Sequence, residues 1–128
     1  MTGGQQPPDP SGPHSHDPML GYESVRIWVD SLQAASLRPG ADRARRLSLI
    51  AAFSSHIGAD PDTIVRTARG DQQAKNAYLR QLVSWAGQLP GSDRARHDAE
   101  NTIRSFFMRN GFRVVARPYR DVYERSAP

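Results

Sequence analysis

After twenty residues almost without apolar side chains, hydrophobic positions recur every three or four residues, the spacing that lines one face of a helix. Val25, Trp28, Val29 and Leu32 stand at i, i+3, i+4 and i+7 and predict a first helix from about Tyr22 to Ala35. Ser36-Leu37-Arg38-Pro39-Gly40 stops it. Pro39, with its fixed φ and missing N–H, suits the first turn of the next helix. That second helix, from about Pro39 to Ile57, carries Leu47, Ile50, Phe53 and Ile57 on one side with Leu49 beside them, and Gly58 stands where a C-terminal glycine cap belongs. The third, Pro61 to Ala68, opens on Asp60 as N-cap, turns Ile64 and Val65 inward and ends at Gly70. The fourth, Asp71 to Ala86, aligns Ala74, Tyr78, Leu82 and Trp85, flanked by Leu79 and Val83, and Gly87 closes it. Gln88-Leu89-Pro90-Gly91 leads to Ser92, the N-cap of a fifth helix reaching about Arg109. Ala99, Ile103, Phe106 and Phe107 form its buried face, and Asn110-Gly111 stops it. Only Phe112 to Ala116 alternates with period two, a pattern compatible with extended chain. The predicted class is all-α, a compact bundle over residues 21–111 with short loops and no internal repeat.

Composition sharpens this division. Residues 1–20 are dominated by Pro, Gly, Ser and Gln, bury too little surface to offset their ordering entropy, and are expected to be a disordered tail. The 17 basic residues against 13 acidic give a net charge of +4, and Lys75 is the only lysine. The first twenty residues hold two of the acids and none of the bases, so the remainder is more basic than the whole. Such a charge permits nucleic-acid binding without establishing it. With no cysteine, a disulfide, a thiolate metal site and a cysteine nucleophile are excluded, which fits a reducing cytoplasm. No apolar run approaches the roughly 20 residues of a membrane span, and the start lacks the pattern of a signal peptide.

Two stretches resemble one family. Leu37-Arg38-Pro39-Gly40-Ala41-Asp42-Arg43-Ala44-Arg45-Arg46-Leu47-Ser48-Leu49-Ile50-Ala51-Ala52-Phe53 is similar to the helix that follows a Leu-Ser-Pro turn in tyrosine recombinases (phage integrases). Asn101-Thr102-Ile103-Arg104-Ser105-Phe106-Phe107-Met108-Arg109-Asn110-Gly111 is similar to the end of that family's N-terminal core-binding domain. Between them, the segments around Asp60–Ile64 and Ala77–Val83 resemble the two intervening helices, and Arg113–Pro118 resembles the linker to the catalytic domain, so 112–128 is taken as a basic interdomain-type tail. The chain departs from the family's pattern at Gly40 and Ala41, where Ser or Thr is usual. It departs again at Ser92-Asp93 in place of Ser-Pro, at Arg96 in an apolar position and at Asp98 in a basic one.

The resemblance implies a four- to five-helix, SAM-like bundle forming one jaw around double-stranded DNA. In that family the tyrosine nucleophile and its arginines belong to a second domain, so the resemblance implies a partner in a recombinase catalytic domain or a separate recombinase catalytic chain. No enzymatic activity, cofactor or metal is therefore expected, and the piece is expected to be a monomer off DNA. Tyr119 and Tyr123 in the tail lack positioned cations, without which a tyrosine is no nucleophile toward phosphate. His14 and His16 lack further ligands. His56 near a helix end suits a surface role, and the helical spacing of Trp28, Trp85, Phe106 and Phe107 points to core rather than base stacking.

By composition alone the arginines read as solvated faces paired with Asp42, Asp93, Asp98 and Glu100. Arg43 and Arg46, at i and i+3, are placed away from the Leu47–Ile50 face. The resemblance assigns DNA contact to Arg38, Arg43 and Arg46 near the start of the second helix. On the fifth it assigns Arg94, Arg96, His97, Asn101 and Arg104, with Arg104 alternatively packing its stem on the core. The expectation is a DNA-binding module of the recombination and integration type. The alternative is a helical protein–protein interaction module, and the two differ in whether those arginines share one concave face free of acids.

Overall fold

The computed structural model describes residues 17–33 and 39–117, without the side chains of 32, 33 and 39–42. Among the described residues the chain forms α1 (Glu23–Gln33), α2 (Pro39–Ile57), α3 (Pro61–Gly70), α4 (Gln72–Gly87) and α5 (Asp93–Arg109), with no strand. The all-α class holds, and the helices stand in the predicted order. Their starts follow the sequence signals closely. Asp60 Oδ1 accepts from the Thr63 amide at 2.8 Å, Asp71 Oδ1 from the Gln73 amide at 2.9 Å, and Ser92 Oγ from the Ala95 amide at 3.1 Å. Each satisfies an amide that lacks an intrahelical partner. Gly58 and Gly111 end α2 and α5 at φ +88° and +96°, the left-handed region that a Cβ disfavours.

The tail expected to be structureless through residue 20 is corrected at its end. Asp17 Oδ1 accepts from the Met19 amide at 2.9 Å and caps a 3-10 turn, Pro18–Gly21. Met19 and Leu20, the one apolar pair of that segment besides Met1, pack with Tyr22 against the core. Residues 1–16 lie outside the described residues.

α5 runs between α1, α2 and α4, while α3 packs on α1 and α4. The faces predicted for the helices meet there: Val25, Trp28, Val29, Leu47, Ile50, Phe53, Ile64, Leu82, Ile103, Phe106 and Phe107 are all sealed from solvent. Trp28 meets Phe106 edge to face at 5.5 Å between ring centroids, Phe106 meets Phe107 at 5.6 Å, and Phe107 meets Phe112 at 5.7 Å. Phe53 and Trp85 form a second pair at 5.3 Å. This geometry sets positive ring edges against negative ring faces and adds to the burial term. The indole N–H of Trp28 donates to Ser105 Oγ at 3.1 Å, so its polar end is satisfied inside. After α5, Phe112 and Val114 turn inward while Arg113 and Val115 face solvent, the period-two alternation read from the sequence. Val83, placed beside the buried stripe of α4, is exposed.

One end of the bundle is joined by polar groups from three helices. Asp62 of α3 accepts from the Ser24 amide at 2.9 Å, the Ser24 hydroxyl at 2.6 Å and the Glu23 amide at 3.2 Å, so a side chain 38 residues away caps α1. Asn110 is buried and donates to the Ser24 and Phe106 carbonyls, and Arg69 of α3 donates to the Asn110 carbonyl at 2.6 Å with its guanidinium over Phe112. Burial works against ionisation of Asp62. The Ser24 hydroxyl and amide, the Glu23 amide and the nearby Arg26 outweigh it and hold the carboxyl below the usual aspartate value.

A carboxyl depressed on folding stabilises above the unfolded value of about pH 4 and loses that contribution as pH falls through the lower, folded value. Asp62→Ala is expected to cost about 1–2 kcal/mol at neutral pH and to flatten the loss of stability below about pH 4. Urea unfolding of both proteins across this range measures it, and parallel acid-side curves would show that Asp62 is not the group responsible.

Candidate nucleic-acid interface

The basic run of α2 distributes its arginines by helical geometry. Arg43 and Arg46 lie one turn before Leu47 and Ile50, so they sit at the edge of the apolar face rather than away from it. Both are half-buried, and Arg43 Nε is enclosed without a hydrogen-bond partner among the described residues. Arg45 is the member turned outward. Its guanidinium donates to Thr102 Oγ1 of α5 at 3.0 Å, and that hydroxyl donates in turn to the Asp98 carbonyl at 2.7 Å.

Here α2 and α5 form a groove of about 240 Å3 lined by Arg45, Arg46, Asp98, Asn101, Thr102 and Ser105. Most hydrogen-bonding capacity of its α5 wall is already committed inside the fold. The Thr102 hydroxyl points back to its own helix and Ser105 accepts from Trp28. Asn101 Nδ2 donates to the Arg117 carbonyl at 2.7 Å and lies 3.0 Å from His97 Nε2, while its Oδ1 accepts from the Arg117 amide at 2.8 Å. The α2 wall carries the guanidinium groups of Arg45 and Arg46, a donor set that matches the oxygens of an anion and carries little information about base edges. The α5 wall carries the Asp98 carboxylate, which stands beside Arg94, so the face is not free of acids.

The fifth helix supplies fewer outward cations than expected. Arg94 is exposed and stands 3.6 Å from Asp98, an i,i+4 pair of the weak surface kind. Arg96 turns back on the preceding loop, donating to the Leu89 and Gly91 carbonyls and to Asp93, and so locks the α4–α5 turn. Arg104 takes its alternative, inward role: its Nε donates at 2.8 Å to Glu100, a carboxylate only 6% exposed. His97, placed outside the apolar face and offered to phosphate, is instead 6% exposed. Its position one turn before Asn101 and beside Glu100 puts it under the departing tail. Arg38, Tyr119, Tyr123, His14 and His16 lie outside the described residues. His56 is exposed at the end of α2.

Sequence reasoning missed Arg45, Thr102 and Ser105, which line the groove; Glu100, expected to pair with a nearby arginine, does so with Arg104, but its second partner Arg117 was not anticipated. Glu100 receives Arg117 Nη1 at 3.1 and 2.9 Å as well as Arg104. Wheel position alone would have found Arg45, two residues before Leu47 and so across the helix from it. Nothing in the sequence pairs Glu100 with a residue 17 positions later. Elsewhere, α1 and α3 border a larger groove of about 450 Å3, with Ile27 and Val65 below Glu23, Asp62, Arg66 and Arg69. Among the described residues no group of three or more His, Cys, Asp or Glu is placed to hold a metal ion, and no helix is long and apolar enough to cross a membrane.

Replacing Glu100 by Gln leaves two guanidinium groups at a buried site with no counter-charge. The expected loss is about 3 kcal/mol, the lower end for a broken buried ion pair because the arginine heads are partly wet. Denaturant midpoints at constant slope measure it, and a loss under about 1 kcal/mol would mean that the charge of Glu100 contributes little. Comparison with protein-family models, with curated proteins and with solved structures finds no match to this chain.

Proposed function

We propose that this chain is a non-catalytic helical module that binds double-stranded DNA, mainly through phosphate, with the α2 side of the α2–α5 groove. The observation that carries the reading is the convergence of Arg45 and Arg46 on a groove whose opposite wall has committed most of its own donors and acceptors. Guanidinium groups displace counterions from duplex DNA, and that release supplies sequence-independent affinity. The charge distribution points the same way. Asp17, Asp60, Asp71 and Asp62 serve as helix caps, Asp93 and Asp98 stand beside arginines, and Glu100 is buried under two more. These seven carboxylates have local partners, and the full chain carries a net charge of +4.

The resemblance of 37–53 and 101–111 to the core-binding domain of tyrosine recombinases supports the same partner and suggests a role in DNA recombination or integration, in the cytoplasm, beside a catalytic domain or chain. With Asn101 and Arg104 held by the fold, base reading through α5 has few donors, so the proposed binding is of low sequence selectivity. The second reading, a protein-interaction module, draws on the α1–α3 groove, where the side chain of Ile27 is 42% exposed beside Arg66 and Arg69.

Fluorescence anisotropy on mixed-sequence duplex at two salt concentrations tests the proposal. Binding is expected at low salt and to weaken steeply as salt rises. Arg45→Gln with Arg46→Gln is expected to weaken it at least roughly tenfold and to reduce the salt slope by about 2, whereas Arg80→Gln on α4 leaves it unchanged. No binding at low salt, or a folded double variant that binds as well as the parent, overturns the proposal and favours the interaction module.

A further inference from the structure

The chain leaves α5 through a hydrogen-bond clamp that tolerates only one protonation state of its histidine. Arg117 presents its main-chain N–H and C=O to the amide of Asn101: the N–H donates to Oδ1 at 2.8 Å and the C=O accepts from Nδ2 at 2.7 Å. Two main-chain groups of opposite character settle which end of the amide is oxygen and which is nitrogen. The second amide hydrogen of Asn101 is then directed at His97 Nε2, 3.0 Å away. A donor faces that nitrogen, which assigns Nε2 as the acceptor and the ring proton to Nδ1, an atom sealed from solvent that makes no hydrogen bond among the described residues.

We propose that His97 is a pH-sensitive latch on the segment ending at Arg117, holding its main chain when the ring is neutral and releasing it when the ring is protonated. An imidazolium carries N–H on both nitrogens and sets Nε2–H against the Asn101 amide hydrogens. Turning the amide over would offer Oδ1 to Nε2–H. It would also set Oδ1 against the Arg117 carbonyl and Nδ2 against the Arg117 amide, and both tail bonds would be lost. One amide cannot serve an imidazolium and the Arg117 main chain together. The i,i+4 spacing on α5 keeps His97 and Asn101 within reach, and the ring's 6% exposure limits replacement by water.

Guanidinium groups outnumber carboxylates around the ring, and the response rests on hydrogen-bond compatibility. From α5, Asp93 stands against Arg96, and Glu100 against Arg104 and Arg117. The small cavity beside the ring is completed on α4 by Val83, Ala86 and Gly87, none titratable. Beyond Asn101, α2 presents Arg45 and Arg46. The Arg117 guanidinium stays on Glu100 when the main chain lets go. The latch therefore frees the Arg117 main chain while its side chain remains attached. Imidazole accepts a hydrogen bond at one nitrogen when neutral and donates from both when charged. The inference is independent of the DNA-binding reading.

Nuclear magnetic resonance on the full chain from pH 8 to 5 tests it. The Arg117 backbone amide and the Asn101 side-chain amide are expected to move with the same midpoint as the His97 ring, and the protection factor of the Arg117 amide to fall by about tenfold or more. His97→Gln keeps an acceptor that does not titrate and should hold the tail throughout. Asn101→Ala should leave the Arg117 amide unprotected at every pH while the ring still titrates. Circular dichroism checks that each variant is folded. An Arg117 amide that stays put while the ring titrates, a ring that remains neutral down to pH 5, or a His97→Gln protein with the parent's pH response would each overturn the proposal.

Discussion

Burial of one face of α5 is the constraint on which the rest of the structure depends. Ile103, Phe106 and Phe107 are sealed between α1, α2 and α4, and each neighbour contributes a large side chain to the same volume. Removing such rings from water is the largest favourable term available to a chain of this size. Once the rings are sealed, the orientation of α5 is set, and so is everything on its other faces. Trp28 must bring its N–H to Ser105. Asn110 must lie under Ser24. Phe112, following Phe107 in the chain of rings, must turn the segment after α5 back along the bundle.

The polar groups follow from that geometry. Because the helices are short and their ends crowded, most carboxylates are placed where amides need acceptors or where an arginine has been drawn inward. Asp62 shows the effect most clearly. Its own helix begins one residue earlier and is capped by Asp60, so its carboxylate is left to reach across to α1. Glu100 does the same for guanidinium groups, gathering Arg104 and Arg117 at a buried point. The outward charge of the α2–α5 face thus comes from α2, while α5 contributes structure. The same commitment gives the tail its attachment: the Asn101 amide and the Glu100 carboxylate hold the main chain and the side chain of Arg117 separately.

Much of the fold was legible in the sequence. Helix starts were readable because a capping Asp or Ser acts on amides two or three residues away, an interaction that needs no tertiary contact. The buried faces were readable because 3.6-residue periodicity is a property of a single helix. Less of the candidate site was legible. Arg43 and Arg46 were misjudged although wheel geometry alone places them at the apolar edge. Arg96 and His97 were misplaced for a different reason, and for Arg104 the fold takes the inward alternative. A polar side chain on a helix flank can face solvent, a loop carbonyl or a buried carboxylate, and the choice depends on which chain segment lies opposite.

The sequence by itself determined the class, the order and approximate limits of the helices, and the residues that would fill the core, since all of these rest on interactions within a turn or two of helix. Only the tertiary structure decided which cations face outward, which carboxylate caps a distant helix, and that His97 and Asn101 meet the Arg117 main chain. The last two rest on pairs 16 to 39 residues apart. Their partners are brought together by the packing of α5, and no local pattern records that packing.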